Sequence, residues 1–184
     1  MKNYEYIPNE IYEFMEKVMI KKTTHRLLQG LEKNYDLVMK DIDACFALAS
    51  TITGLSPSEL VKKSDFKIND FDSDRFDSML AEIRTIVYLN NIGFEEIKPL
   101  KAPKGIKEAD LLAELNGTKW AIEVLCSSYQ SGRWTHKEIV NYIERRFVND
   151  NKIEQLHRTA VKYKCTCKLL VVIMNSSGQV HFCL

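Results

Sequence analysis

The sequence predicts a mixed α/β fold, and three stretches of the chain carry this prediction. Apolar residues recur at helical spacing over residues 74–90. Two apolar-rich runs, 109–115 and 119–127, flank an Asn-Gly pair, which tolerates positive φ and is the strongest short-range signal for a β-hairpin. The continuous apolar run at 168–174 is typical of a strand that is covered on both faces. Helices packed on a sheet account for this combination.

Before residue 73 the pattern is helical. Helical spacing predicts two helices, over residues 10–29 and 34–53, with Gly30 as the break between them. Ser56 is followed by proline, which is an N-cap signature and predicts a short helix that ends near Lys63. This part of the chain contains no catalytic pattern. We interpret it as a helical extension that packs on the core, contacts substrate or mediates association.

The remaining chain alternates helix and strand patterns. The helix over 74–90 ends at a glycine stop and leads to a short strand at 94–97, and then to the hairpin. A long helix or a broken pair of helices is predicted over 135–164, with an interruption at Asn149–Asn151. The apolar strand follows this helical segment, and residues 180–183 could add an edge strand.

Length and composition bound the class of protein. A chain of 184 residues, 45% hydrophobic and 28% charged, fits one compact globular domain. No apolar run is long enough to span a bilayer, and the polar N-terminus does not resemble a signal peptide. The five cysteines are scattered and lack zinc-ribbon spacing, so we expect reduced thiols in a cytoplasmic protein.

A local excess of basic residues lies between Arg133 and Lys168, where nine Lys or Arg accompany four Asp or Glu. Such a surface could meet the phosphates of a nucleic acid. It could equally be a solvated helix face, which is the commoner origin of a basic run. The residues themselves leave both interpretations open.

Two carboxylates in the hairpin are not explained by strand alternation. Asp110 opens the first strand, and Glu123 lies inside the second with apolar residues on both sides. A carboxylate in so apolar a strand must be paired, protonated or bound to a cation, because burying it bare is costly. Two such groups on adjacent strands could converge on one divalent metal, since hard cations take oxygen ligands.

The hairpin resembles the core motif of the PD-(D/E)XK nuclease superfamily, in which an acid opens one strand and Glu-x-Lys lies in the next. Asp110 matches the first acid and Glu123 matches the second, with twelve residues between them. Ala109 stands where the motif has proline, and Leu125 stands where it has lysine. The order of predicted elements extends the resemblance over roughly residues 74–175.

This resemblance implies a restriction-endonuclease-like αβββαβ core with a mixed central sheet over residues 73–184, preceded by the helical extension over 1–72. It implies a nuclease that hydrolyses phosphodiester bonds with Mg²⁺ or Mn²⁺. The expected partner is nucleic acid, with DNA as the first candidate. We expect no association with a membrane, and a homodimer is one possible assembly.

The resemblance also implies a set of metal ligands. Asp110 and Glu123 would hold the metal, and the backbone carbonyl of Leu125 could contribute a further ligand. In that family the leading helix often supplies another glutamate, and Glu82 matches this position. Glu82 could equally be a boundary residue paired with a neighbouring cation.

A leucine at position 125 leaves the motif without its positive charge. Some members of the superfamily carry a lysine or glutamine on the helix after the hairpin. Lys152 and Gln155 lie on that helix three residues apart, and therefore on one helical face. Lys152 is the candidate replacement for the motif lysine. Lys119 is a second candidate, because it shares strand parity with Glu123, although it lies at the outer end of the strand.

Two other functional classes remain open. A member of the same fold without catalysis could bind nucleic acid or a protein partner, and Leu125 favours that alternative. The chain could also be a mixed α/β interaction domain whose match to the motif is accidental. The sequence has no Ser/His/Asp arrangement that indicates acyl transfer, and it has no Gly-rich phosphate loop.

Overall fold

The computed structural model describes residues 4–21, 26–71, 73–101, 106–128, 136–149, 151–176 and 179–183. By its internal contacts the chain divides into two compact units, Met1–Asn90 and Asn91–Leu184. The predicted boundary between an extension over 1–72 and a core over 73–184 stays a prediction. Among the described residues, no helix is both long enough and apolar enough to cross a membrane.

The described part of the N-terminal unit is helical. Its helices are α1 (Asn9–Lys21), α2 (Arg26–Thr53), α3 (Pro57–Lys63) and α4 (Ser73–Asn91), the last ending at the unit's boundary. Phe14 of α1 stacks on Phe71 and Phe76, with ring centroids 5.9 and 5.0 Å apart, and Phe66 meets it edge-on at 5.1 Å. This aromatic cluster joins α1, α4 and the segment between α3 and α4 in one apolar core.

Of the predicted helix over 10–29, residues 10–21 and 26–29 are helical and 22–25 lie outside the described residues, but the predicted break at Gly30 is wrong. Helix α1 ends earlier, and α2 continues through Gly30, where an added Cβ would have Val38 Cγ2 as its nearest neighbour at 3.5 Å. The break lies at Asn34, whose backbone is extended (φ −158°, ψ 76°). Asn34 Oδ1 accepts a hydrogen bond from the backbone N of Leu37 at 3.2 Å, so Asn34 caps the segment that follows.

The predicted start of the third helix is confirmed. The backbone N of Glu59 donates to Ser56 Oγ at 3.3 Å, and the backbone N of Ser56 donates to Glu59 Oε2 at 2.8 Å. This is a reciprocal capping box, and Pro57 occupies the first helical position, where a missing N–H costs nothing. The helix ends at Lys63, as expected.

The C-terminal unit contains a mixed sheet, which confirms the predicted mixed α/β class. Its described strands, in spatial as well as chain order, are β1 (Glu95–Pro99), β2 (Leu111–Leu115), β3 (Thr118–Ser128), β4 (Cys167–Ser176) and β5 (Gln179–Cys183). Strands β3 and β4 run parallel, and the other neighbouring pairs run antiparallel.

The hairpin between β2 and β3 forms where the Asn-Gly pair predicts it. Leu115 pairs with Thr118 across the turn, and Asn116 and Gly117 both have positive φ, at 52° and 72°. Two consecutive positive φ angles are the requirement of a type I′ turn, whose twist matches that of the flanking strands.

Two helices connect the parallel strands β3 and β4, as parallel pairing requires a long crossover. They are α5 (His136–Asn149) and α6 (Lys152–Tyr163), so the alternative of a broken pair is correct. Asn151 at the start of α6 has a left-handed backbone with φ 55°. Asp150, at the centre of the predicted interruption, lies outside the described residues.

The crossover helices cover one face of β3. Ala121 packs against Leu156 of α6, and Leu125 packs against Ile143 of α5. Glu123 lies between these two positions, and by strand alternation its side chain points to the same face. The predicted acid of β3 therefore lies beneath the crossover.

The turn glycine can be tested against the helical glycine. We expect Gly117→Ala to lower the free energy of unfolding by about 1 kcal/mol, because its positive φ places a Cβ in strain. Apart from Gly117 and its two chain neighbours, no described residue has an atom within 4 Å of that Cβ, so the cost is one of backbone conformation. Gly30→Ala is the matched control and should raise stability by about 0.5 kcal/mol. Urea denaturation followed by circular dichroism measures both; a neutral Gly117→Ala would contradict the turn assignment.

Candidate active site

Glu123 is a fully enclosed carboxylate in the central part of β3. Its side chain is 0% exposed. Lys152 Nζ donates to Glu123 Oε1, and Gln155 Nε2 donates to Glu123 Oε2 at 3.0 Å. Both oxygens are therefore engaged by the first turn of α6, where the positive end of the helix dipole adds to the charge of the lysine. The structure brings together the three residues that the sequence placed on two separate elements.

Asp110 meets Glu123 from the adjacent strand. Asp110 precedes β2, and its Oδ2 accepts a hydrogen bond from the backbone N of Val124 at 2.7 Å. Its own backbone carbonyl accepts from the N of Leu100 at 2.8 Å, which fixes the entry into β2. The proximity of Asp110 is one of the causes that raise the pKa of Glu123. Leu111 pairs with Ile122, so Asp110 and Glu123 are adjacent positions of the antiparallel hairpin; that they share a metal ligand stays a prediction.

The electrostatics of this pair favour one retained proton. Burial, and after it the negative charge of Asp110, raise the pKa of Glu123 to about 8, although Lys152 opposes the shift. Two carboxyls and one ammonium carry a net negative charge when both acids are ionised. The retained proton balances this charge, and a divalent cation could take its place.

Helix α6 is held against the segment that precedes β2 by a set of hydrogen bonds that we call the α6 clamp. Gln155 Nε2 also donates to the backbone carbonyl of Glu108. The backbone N of Ala109 donates to Thr159 Oγ1 at 2.8 Å, and Thr159 Oγ1 donates to the carbonyl of Gln155 at 2.9 Å. The clamp fixes the two residues directly before Asp110.

Glu108 extends the α6 clamp through its side chain. The carboxylate is buried and accepts hydrogen bonds from Lys162 Nζ and, at 3.2 Å, from Tyr163 Oη. The bond to Glu108 raises the pKa of Lys162. Sequence reasoning missed Glu108 and Thr159. The sequence signal was the spacing of Gln155, Thr159 and Lys162, which places them on one face of the helix. This spacing alone does not identify the segment that the face binds.

Lys152, rather than Lys119, supplies the charge at Glu123. Lys119 lies next to the hairpin turn and pairs across the two strands with Glu114, with Nζ and Oε1 3.9 Å apart. Both side chains are exposed to solvent, so this pair contributes little to stability.

Leu125 occupies the motif's lysine position with an apolar contact. Its side chain is 2% exposed and packs with Val172 of β4 and with Ile143 and Leu170. The position therefore belongs to the core beneath α5. A ligand role for its backbone carbonyl stays a prediction.

Glu82 lies on α4 in the N-terminal unit, where it is half-buried. It lines a cleft of about 220 Å³ together with Asp65, Arg75, Ser78 and Met79. Its proposed place beside Asp110 and Glu123 stays a prediction.

The donor set can be compared with what Mg²⁺ or Mn²⁺ needs. In the described part of the chain, no group of three or more His, Cys, Asp or Glu side chains is arranged for a metal ion. Mg²⁺, however, commonly takes one or two carboxylates and keeps several waters. Asp110 and Glu123 supply such a pair of carboxyl groups on neighbouring parts of the hairpin, so their oxygen atoms fit a hard divalent cation.

The basic stretch reaches the acids at Lys152. Elsewhere on α5, exposed acids lie beside some of the basic side chains, such as Glu138 beside Lys137 and Glu144 beside Arg145. Arg133, at the start of the stretch, lies outside the described residues. Contact of this surface with phosphates stays a prediction.

Comparison of the chain with family models, with curated proteins and with solved structures gave no match. The resemblance to the PD-(D/E)XK superfamily therefore rests on the motif residues and on the order of elements. Membership of that superfamily stays a prediction.

The raised pKa of Glu123 predicts a pH dependence of stability. The folded protein binds a proton that the unfolded chain releases above the ordinary pKa of 4.5, so stability should fall as pH rises from there to about 8. The limiting slope for one group is about 1.4 kcal/mol per pH unit. Glu123→Gln, which mimics the protonated acid, should remove this part of the slope in urea denaturation across the same range.

Ile122→Val is the matched control, because it removes a buried methylene beside Glu123 without changing a charge. It should lower stability by about 1 kcal/mol at every pH and leave the slope unchanged. Parallel stability curves for Glu123→Gln and the parent would contradict the assignment of a bound proton to this pair.

Proposed function

We propose that the chain is a metal-dependent nuclease that hydrolyses phosphodiester bonds of nucleic acid, with DNA as the expected substrate. One observation carries the proposal. Leu125 stands at the position where the motif has its lysine. Lys152, which belongs to another element, contacts Glu123 beside Asp110. An active site of this type needs two acids and a nearby cation, and those three groups meet here.

The order of elements supports the proposal. Helix α4, strands β1 to β3, the α5–α6 crossover and β4 follow the αβββαβ order that the resemblance implies. The acids lie on β3 and at the start of β2, and β4 pairs with β3 in parallel. We infer a restriction-endonuclease-like core from this order.

The chain's own residues would perform distinct tasks at such a site. Asp110, Glu123 and the carbonyl of Leu125, with Glu82 as a further candidate, would hold Mg²⁺ or Mn²⁺. The metal would supply an activated water and stabilisation of the leaving oxygen. Lys152 would offset the charge that develops on the phosphate.

Other residues would position these groups. Gln155 orients the Glu123 carboxyl, and the α6 clamp fixes the backbone before Asp110. Leu125 and Ile143 close the apolar side of the site, which keeps water from that direction.

A second candidate is a member of the same fold that binds nucleic acid or a protein partner without cleaving it. The observation that favours it is the satisfaction of Glu123: its side chain is enclosed, and Lys152 and Gln155 engage both oxygens. A buried ion pair can be retained for structure alone. Cleavage separates the two candidates.

Incubation with single-stranded and duplex DNA and with RNA, in Mg²⁺, Mn²⁺ or EDTA, tests the proposal. We expect cleavage that requires metal and is lost in Asp110→Asn and Glu123→Gln. Lys152→Ala should lower the rate by about a hundredfold or more, since it removes a preorganised charge that acts on the transition state.

Lys119→Ala is the matched control, because it removes a lysine of β3 that pairs with Glu114 and should leave the rate at the parent level. Cleavage in EDTA, or full activity of Lys152→Ala, would contradict the proposed site. Binding of nucleic acid without cleavage under any of these conditions would support the second candidate.

Nucleic-acid binding should also depend steeply on salt. Each phosphate contact releases counterions, which gives a slope of about −0.9 in the logarithm of affinity against the logarithm of salt per contact on duplex DNA. Fluorescence anisotropy of a labelled duplex, measured with Glu123→Gln to prevent turnover, reports the slope. Affinity that does not change with salt would favour a protein-binding role.

A further inference from the structure

Lys152 occupies the position of a metal's charge. Its ammonium donates a hydrogen bond to Glu123 Oε1, while Gln155 donates to the other oxygen, Oε2. An ammonium and a divalent cation held by the same oxygen repel each other, and the repulsion is strong in a site shielded from water. Metal binding at the two acids therefore requires a change at Lys152.

Helix α6 is built so that Lys152 can move while the helix stays in place. The α6 clamp acts on Gln155, Thr159 and the end of the helix, whereas Lys152 is the first residue of α6 and precedes these anchors. Its side chain is 23% exposed, so a path to the surface is open. Asn151, the residue before it, makes no side-chain cap that would stiffen this end.

We propose that Lys152 is an exchangeable internal cation: a divalent metal that binds Asp110 and Glu123 displaces the Lys152 ammonium from Glu123 to the surface beside the site. This inference rests on the metal site of the proposed function and adds its regulation. Lysine suits the task, since it is a point charge on a flexible four-carbon stem. The released ammonium becomes available to a substrate phosphate as soon as the metal is loaded.

Charge balance favours the exchange. Lys152 carries one positive charge and faces two carboxyl groups, whereas a divalent cation can offset the charge of both. The two cations are then mutually exclusive ligands of one carboxyl, so each weakens the binding of the other by the same factor. Removal of Lys152 should consequently strengthen metal binding, although it weakens catalysis.

Amine acylation of the full chain, quantified by peptide mass spectrometry with and without Mg²⁺ and in the absence of nucleic acid, tests the exchange. We expect the acylation rate of Lys152 to rise about tenfold in saturating Mg²⁺, a typical size for a coupling between two binding events. Lys162 is the internal control, because it also lies on α6 and also pairs with a buried carboxylate. Its acylation rate should stay constant. The Mg²⁺ effect on Lys152 should disappear in Glu123→Gln.

Calorimetry with Mg²⁺ supplies the second readout. Lys152→Met should bind Mg²⁺ about tenfold more tightly than the parent, whereas Lys152→Arg, which keeps the charge, should not. If Lys152→Met fails to fold because Glu123 is left without its cation, the acylation of the parent chain still decides the matter.

The outcomes separate the two proposals. Mg²⁺ binding with unchanged Lys152 acylation overturns the exchange and leaves the nuclease proposal standing. A rise that persists in Glu123→Gln also overturns it, because the acid would then not hold the lysine. The absence of any Mg²⁺ binding overturns the metal site of the proposed function, and the exchange falls with it.

Discussion

The carboxyl of Glu123 lies beneath two helices in a strand that has neighbours on both sides, and this burial constrains everything around it. A carboxylate enclosed in this way needs donors and positive charge, and β3 itself supplies neither. Both come from the first turn of α6 through Lys152 and Gln155. The placement of α6, and with it the segment before β2 that α6 grips, follows from the need to satisfy one side chain.

The positive charge beside Glu123 comes from a helix, whereas the motif that the hairpin resembles has it on the strand. A lysine at position 125 would share the rigid frame of β3 with Glu123. Leu125 instead packs against Ile143, and the charge comes from a helix that reaches the strand only through tertiary contacts. The α6 clamp, through Glu108 and Thr159, provides the precision that a shared strand would have given. A cation on a separate element can also be moved without disturbing the acids.

Local chemistry explains which features the sequence could predict. The Asn-Gly turn and the capping box at Ser56 depend on a few neighbouring residues, so both are readable from the chain. The predicted break at Gly30 was wrong because glycine is tolerated inside a helix. The break lies at Asn34, which caps the helical segment that follows it. The contact between Lys152 and Glu123 could be predicted from the motif together with helical spacing. Glu108 was not, because a loop residue has no periodicity, and its partners lie 54 and 55 positions away.

The two partners of β3 differ in how far along the chain they lie. Strand β2 meets it across a two-residue turn, whereas the contacts of α6 with β3 join residues 29 and 32 positions apart. Because closing a longer loop costs more entropy, we expect the hairpin to form before α6 docks. In that interval Glu123 would be a hydrated charge in the middle of an apolar strand. We expect this charge to oppose the pairing of the strand with other unfolded copies until Lys152 reaches it.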